Sequence, residues 1–77
     1  MPHIIVKLYP GRSEELKKHL ADEIVKNVAE IAGCEKKVVS VSIEEIDKID
    51  WPEKVYKPDI LDKKDKLYIE PGYNPFK

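Results

Sequence analysis

Pro2 stands where the chain can gain a reactive amine. It directly follows Met1, so removal of the initiator methionine leaves a mature chain that begins with a secondary amine. An apolar pocket and a nearby cation both lower the pKa of such an amine, and an amine that is neutral near physiological pH can act as a general base. A retained Met1 would instead leave the Pro2 nitrogen as a tertiary amide with no basic lone pair.

Arg12 is the only arginine among the 14 basic residues. Where only positive surface charge is needed the chain uses lysine, whereas a planar guanidinium can hold a carboxylate with two hydrogen bonds. Arg12 follows the pair Pro10-Gly11, which favours a turn. It therefore indicates either a carboxylate-binding site or a surface ion pair with Glu14 or Glu15.

The other reactive side chains lack the companions that their chemistry requires. His3 and His19 do not have the spacing of a metal site, and Cys34 lies in no motif typical of a nucleophile or a metal ligand. Asp47 and Asp50 fit an acid–base pair or an ordinary turn equally well. The glycines are isolated, so no phosphate-binding loop is predicted. We expect no metal site.

Alternating apolar residues predict two strands, one over residues 3–9 and one over residues 38–46. A helix is predicted between them, with Ser13 as its N-cap, a last residue near Ala32 and Gly33 in the left-handed conformation that ends a helix. Its apolar stripe is Leu16, Leu20, Ile24, Val28 and Ile31. Its outer face carries charged residues, mainly Lys17, Lys18, Asp22, Glu23, Lys26 and Glu30.

These elements predict an α+β fold, in which residues 3–46 form a right-handed β-α-β unit with parallel strands. Two strands and one helix enclose little core and leave both sheet edges open. We therefore expect a homo-oligomer in which two subunits form a four-stranded sheet with both helices on one face. Residues 1–77 are expected to be a single domain, with residues 47–77 as a C-terminal extension at the subunit interface.

The extension is rich in proline and aromatic residues. Pro58 can begin a short helix over residues 59–66, and residues 67–69 can form a short strand. Its aromatic side chains are expected to cover core or interface.

Composition limits the classes of function. The 14 basic and 15 acidic residues give a net charge of −1, which does not favour nucleic-acid binding. A single cysteine suits a reducing compartment, and no signal peptide or membrane-spanning segment is evident. A cytoplasmic protein that binds no membrane is expected.

Taken together, these features resemble the 4-oxalocrotonate tautomerase family. The resemblance covers most of the first fifty-one residues: Pro2 opening the first strand, "GRSEELKKHLADEI" as turn and helix, and "VVSVSIEEI" as second strand. Arg12 follows Pro2 at the spacing of the family's substrate-binding arginine. The longer tail, ending in "YIEPGYNPFK", is similar to the dimeric phenylpyruvate tautomerase branch, so a dimer is favoured over a hexamer.

The resemblance implies cofactor-independent enol–keto or double-bond isomerisation of a small 2-oxo or 2-hydroxy acid, such as phenylenolpyruvate. It implies Pro2 as the catalytic base, with Arg12, Ser40 and Trp51 contacting the substrate. Ser40 occupies the position of a second arginine in the best-studied members, which favours a monoacid over a dicarboxylate. Trp51 stands where an aromatic residue commonly walls the active site.

Two alternatives remain open at this point. One is a non-enzymatic homo-oligomeric binding module on the same scaffold. The other is a hydratase- or dehalogenase-like reaction that uses the same proline, which would need a further carboxylate to activate water. The carboxylate side chains of the right type for this role are Glu44, Glu45 and Asp47.

Overall fold

Two parallel strands and one long helix form the first part of the chain in the computed structural model, which describes residues 1–77. Strand β1 spans His3–Leu8, helix α1 spans Glu14–Ala32, and strand β2 spans Ser40–Glu45. The strands pair in parallel, with His3 opposite Ser40 and Leu8 opposite Glu45. The predicted β-α-β unit is confirmed.

Both strands are shorter than predicted because backbone groups at their ends form other hydrogen bonds. At the end of β1, the Tyr9 carbonyl accepts a hydrogen bond from Nη1 of Arg12 at 3.3 Å. Before β2, Lys36–Val38 form a 3₁₀ turn, in which the N–H of Val39 donates to the Lys36 carbonyl at 3.0 Å. The predictions of strand over 3–9 and 38–46 therefore extend too far.

The predicted caps of α1 are confirmed. Ser13 is the N-cap, and its hydroxyl oxygen accepts the N–H of Leu16 at 3.1 Å. Gly33 adopts a φ of 73°, which places it in the left-handed region. The N–H groups of Gly33 and Cys34 both donate to the Ala29 carbonyl at 3.0 Å.

The parallel register divides the side chains of the sheet between two faces, because paired residues share a face and successive residues alternate. One face carries Ile4, Val6, Leu8, Val41, Ile43 and Glu45, and the opposite face carries His3, Ile5, Lys7, Ser40, Ser42 and Glu44. Lys17 of α1 pairs with Glu45 at 3.5 Å and with Glu14 at 2.7 Å. The assignment of Lys17 to the outer helix face is therefore wrong, since this ion pair joins α1 to β2.

The backbone divides into two compact units, Met1–Glu45 and Ile46–Lys77, which we call the N-terminal and C-terminal units. The C-terminal unit contains a 3₁₀ turn at Lys48–Asp50, a helix at Pro52–Leu61 and a 3₁₀ turn at Lys64–Lys66. The helix has π-type hydrogen bonding, as in the bond from the N–H of Asp62 to the Lys57 carbonyl at 2.9 Å.

Two predictions for the tail are wrong. The helix does not start at Pro58 and run over 59–66; it starts at Pro52, where the first turn needs no N–H donor, and it continues through Pro58. Residues 67–69 form no strand, because the only sheet pairs β1 with β2. Tyr68 and Ile69 are 102% and 88% exposed, so β propensity without a pairing partner has not produced a strand here.

Few side chains are deeply buried. Ala29 in the N-terminal unit is 7% exposed, and Val55 and Tyr56 in the C-terminal unit are 5% and 6% exposed. Ile31, which belongs to the predicted apolar stripe of α1, is 85% exposed. None of the helices combines the length and apolar composition needed to cross a membrane.

Candidate active site

The chain places Pro2 immediately before β1, with its backbone held by the neighbouring strand. The Pro2 carbonyl accepts a hydrogen bond from the N–H of Ser40 at 3.2 Å, and the Pro2 side chain is partly buried. Met1, bonded to the Pro2 nitrogen, is 101% exposed. Removal of Met1 would therefore remove no packing contacts. It would leave a free amine on Pro2, whose backbone is already held by a hydrogen bond to β2.

Ser40 lies close to Pro2 because the two strands pair in parallel. It is the first residue of β2 and stands opposite His3, so its side chain shares a sheet face with that histidine. Oγ of Ser40 lies 2.6 Å from Nδ1 of His3. The fold thus brings together two of the predicted site residues, Pro2 and Ser40, and adds His3, to which sequence reasoning had given no role.

Arg12 lies at the far end of β1 from Pro2. The turn that carries it depends on Gly11, whose φ of 122° is a conformation that side chains with a Cβ rarely adopt. Nη1 of Arg12 donates to the Tyr9 carbonyl at 3.3 Å. The length of β1 therefore separates this guanidinium from Pro2 within one chain.

The charged groups beside this turn are organised around Lys17. Its ammonium group hydrogen-bonds to Glu14, which lowers the pKa of the Glu14 carboxyl below its ordinary value of 4.5. The same hydrogen bond raises the pKa of Lys17 above 10.5, against an opposing effect of desolvation. Glu14 is one of the two residues with which Arg12 was expected to form an ion pair if it were a surface residue. In the structure Glu14 pairs with Lys17 instead.

Trp51 belongs to the C-terminal unit, directly before the helix Pro52–Leu61. Its indole Nε1–H donates to the Tyr73 hydroxyl at 2.9 Å. The Tyr56 hydroxyl in turn donates to the Tyr73 carbonyl at 3.2 Å, and the two tyrosine rings lie 5.5 Å apart. Tyr73 therefore contacts both Trp51 and the buried Tyr56, which fixes the orientation of the indole within this unit.

The chain matches known proteins over both its first fifty residues and nearly its full length. A family profile described as "Tautomerase enzyme" matches residues 2–52. A probable tautomerase of Xylella fastidiosa is 42% identical over 73 residues, which cover 95% of this chain and 89% of that protein. The tautomerase PptA of Pectobacterium carotovorum is 37% identical over 75 residues, covering 96% of this chain and 99% of that protein.

The chain belongs to the tautomerase family. A solved structure agrees: that of YwhB, a homologue of 4-oxalocrotonate tautomerase, superposes with a TM-score of 0.59 at 34% identity, covering 61% of this chain and 77% of that chain. The protein is therefore an isomerase with the tautomerase fold, and the expectation of an enzyme is confirmed over that of a non-enzymatic module. Tautomerases are generally oligomeric and act on small molecules.

Proposed function

We propose that this tautomerase isomerises a small 2-oxo or 2-hydroxy acid such as phenylenolpyruvate, without a cofactor, and that Pro2 is its general base once Met1 is removed. The observation that carries the proposal is the placement of Pro2. Its carbonyl is fixed by Ser40 at 3.2 Å, while its nitrogen bears only the fully exposed Met1. A mature chain would present a ring nitrogen at a defined point at the start of β1.

The proposed reaction needs one proton acceptor that also returns the proton. The neutral nitrogen of Pro2 takes the proton from the enol hydroxyl of the substrate, and the carbonyl forms as electron density moves to the neighbouring carbon. The protonated Pro2 then delivers the proton to that carbon, which gives the keto acid and regenerates the base. A positioned base of this kind contributes about 10²–10⁴-fold to rate.

The remaining predicted residues take distinct roles in this proposal. Arg12 holds the substrate carboxylate, since a guanidinium can donate two hydrogen bonds to it. Ser40 donates one hydrogen bond to the 2-oxo oxygen, where negative charge develops. The family resemblance also assigns Trp51 a contact with the substrate.

We infer that Arg12 comes from a second copy of the chain. β1 contains six residues, and at a rise of about 3.3 Å per residue the strand alone separates Pro2 from the Arg12 turn by about 20 Å. The guanidinium is also held at the Tyr9 carbonyl, beyond the end of the strand. We therefore propose a homo-oligomer, with a dimer favoured, in which one subunit supplies Pro2 and another supplies Arg12.

The test compares the mature enzyme with its Pro2→Ala variant on phenylenolpyruvate. Intact mass spectrometry first establishes that Met1 is absent from both. We expect Pro2→Ala to lower kcat by about 10²–10⁴-fold, because alanine supplies a primary amine without the proline ring. Wild-type turnover by Pro2→Ala would overturn the proposal, as would full activity in wild-type protein that retains Met1.

A further inference from the structure

His3 is an ionisable side chain that is hydrogen-bonded to Ser40 of the proposed reaction centre, and the mechanism above does not use it. Its Nδ1 lies 2.6 Å from Oγ of Ser40. This is short for a hydrogen bond that includes a nitrogen, and both partners lie at the start of their strands. The register places His3 directly opposite Ser40 and on the same face, so the contact follows from strand pairing rather than from chance surface proximity.

Ser40 is held at two points by the first residues of the chain. Its backbone N–H donates to the Pro2 carbonyl at 3.2 Å, and its side chain bonds to His3, the next residue. The backbone contact fixes where Ser40 sits relative to Pro2. The side-chain contact with His3 fixes the position of the Ser40 Oγ atom. Whether the shared hydrogen belongs to His3 or to Ser40 decides the direction in which the Ser40 hydroxyl can donate.

Two hydrogen arrangements fit the same separation of the two atoms. If the hydroxyl of Ser40 donates to an unprotonated Nδ1, its only hydrogen is consumed and Ser40 can no longer donate to a substrate. If Nδ1 carries the hydrogen and donates to Oγ, the hydroxyl hydrogen remains available and the oxygen still has a partner. Only the second arrangement is compatible with Ser40 stabilising a developing oxyanion.

We propose that His3 is a positioning residue: its Nδ1–H donates to Oγ of Ser40 and thereby directs the Ser40 hydroxyl hydrogen to the 2-oxo oxygen of a substrate bound at Pro2. This inference rests on the proposed function and deepens it. Ser40 is a neutral donor with one hydrogen, so its use depends on that hydrogen pointing to the substrate. A donor already oriented before the substrate binds has little reorganisation left to undergo during the reaction.

The chain offers a graded set of variants for the test. Ser40→Ala removes the donor, and His3→Leu removes the group that orients it. His3→Asn keeps an amide nitrogen at the same number of bonds from the backbone as Nδ1, so it can still donate to Oγ. His19→Asn is the matched control, because His19 is exposed on α1 and is the only other histidine.

We expect His3→Leu and Ser40→Ala each to lower kcat by about tenfold with little change in KM, the effect of losing one hydrogen bond made in the transition state. The double variant should be no slower than either single variant, because both changes remove the same donor. His3→Asn should recover most of the activity, and His19→Asn should equal wild type. The proposal would be overturned if the two single-variant losses in kcat multiplied in the double variant, or if His3→Leu kept the wild-type kcat.

A spectroscopic measurement tests the orientation itself. The ¹⁵N chemical shifts of the His3 ring, recorded with a bound 2-oxo monoacid at a pH where the imidazole is neutral, report which nitrogen carries hydrogen. We expect Nδ1–H in wild type and loss of that preference in Ser40→Ala, and an Nε2–H ring in the wild-type complex overturns the proposal. Pro2→Ala is assayed alongside: if it turns over normally the proposed function fails, whereas a dead Pro2→Ala with an unaffected His3→Leu overturns the role of His3 alone.

Discussion

Mixing two inactive variants should restore activity if Arg12 acts on the substrate of another subunit. Tyr9, whose carbonyl holds the guanidinium of Arg12, lies seven residues after Pro2. At about 3.3 Å per residue the extended chain places these groups about 23 Å apart, which is far longer than a small 2-oxo acid. This length favours a site shared between two chains over a site within one chain.

The size of the recovery follows from counting sites. We expect Pro2→Ala and Arg12→Ala each to be nearly inactive alone at low substrate concentration. When equal amounts are unfolded, mixed and refolded together, a site is intact only if its base comes from an Arg12→Ala chain and its guanidinium from a Pro2→Ala chain. Each condition holds for half of the sites in a random mixture, so about one quarter of wild-type activity should return.

The assay measures kcat/KM for ketonisation of phenylenolpyruvate before and after mixing. Each variant carried through the same unfolding and refolding with itself is the control for recovery of folded protein. No gain of activity on mixing, with native mass spectrometry showing that mixed oligomers have formed, would refute the shared site. Full activity of Arg12→Ala alone would refute the assignment of Arg12 to the carboxylate.

Three further predictions concern the elements that support the site. Gly33→Ala should lower the free energy of unfolding by about 1 kcal/mol in urea denaturation, because alanine disfavours a φ of 73°. Tyr73→Phe should change the near-ultraviolet circular dichroism and the fluorescence of Trp51, the only tryptophan, because the indole loses its hydroxyl acceptor at 2.9 Å. The ion pair of Glu14 and Lys17 should stabilise the fold fully at pH values between the unfolded pKa of Glu14 and the unfolded pKa of Lys17. This stabilisation should be lost as the pH falls through the lowered pKa of Glu14, and also as the pH rises through the raised pKa of Lys17. Glu14→Gln should flatten the acid side of a stability–pH curve.

Each of these predictions has a control within the chain. Gly72→Ala should be close to neutral, because Gly72 has no positive φ and a Cβ there meets nothing within 4 Å. Tyr68→Phe should leave the Trp51 spectra unchanged, since Tyr68 is 102% exposed. Glu23→Gln, on an exposed position of α1, should leave the acid limb of the stability curve as steep as in wild type. Equal effects in variant and control would contradict the reasoning in each case.

Local signals predicted the N-terminal unit well. Ser13 and Gly33 bound α1 because a cap depends on a few adjacent residues, and those residues are visible in the sequence. The strand ends were less accurate, because they depend on competing hydrogen bonds such as that between Arg12 and the Tyr9 carbonyl. Propensity identifies where a strand can form, whereas its last residue is decided by which partner each backbone group finds.

The parts that could not be predicted depend on residues far apart in the chain. The role of His3 depends on its pairing with Ser40, thirty-seven residues later, and the register of a parallel pair is set by the connecting helix and turns. Alternation alone places both residues on the polar face, but it does not place them opposite one another. In the tail, a choice between Pro52 and Pro58 as the start of a helix could not be made from proline preferences, which suit the first turn equally at both positions.

The proposal of a second subunit rests on both stability and chemistry. β1 and β2 pair only with each other, so each strand has one unpaired edge, and Ile5 on the sheet face opposite α1 is 53% exposed. We expect a second copy that extends the sheet to pair with the backbone groups of one of these edges. The same copy is the only proposed source of a guanidinium for Pro2, because its own Arg12 lies beyond the far end of β1. If both proposals hold, assembly and the site depend on one contact, so a substitution that weakens the sheet edge should also remove the carboxylate-binding group from the proline.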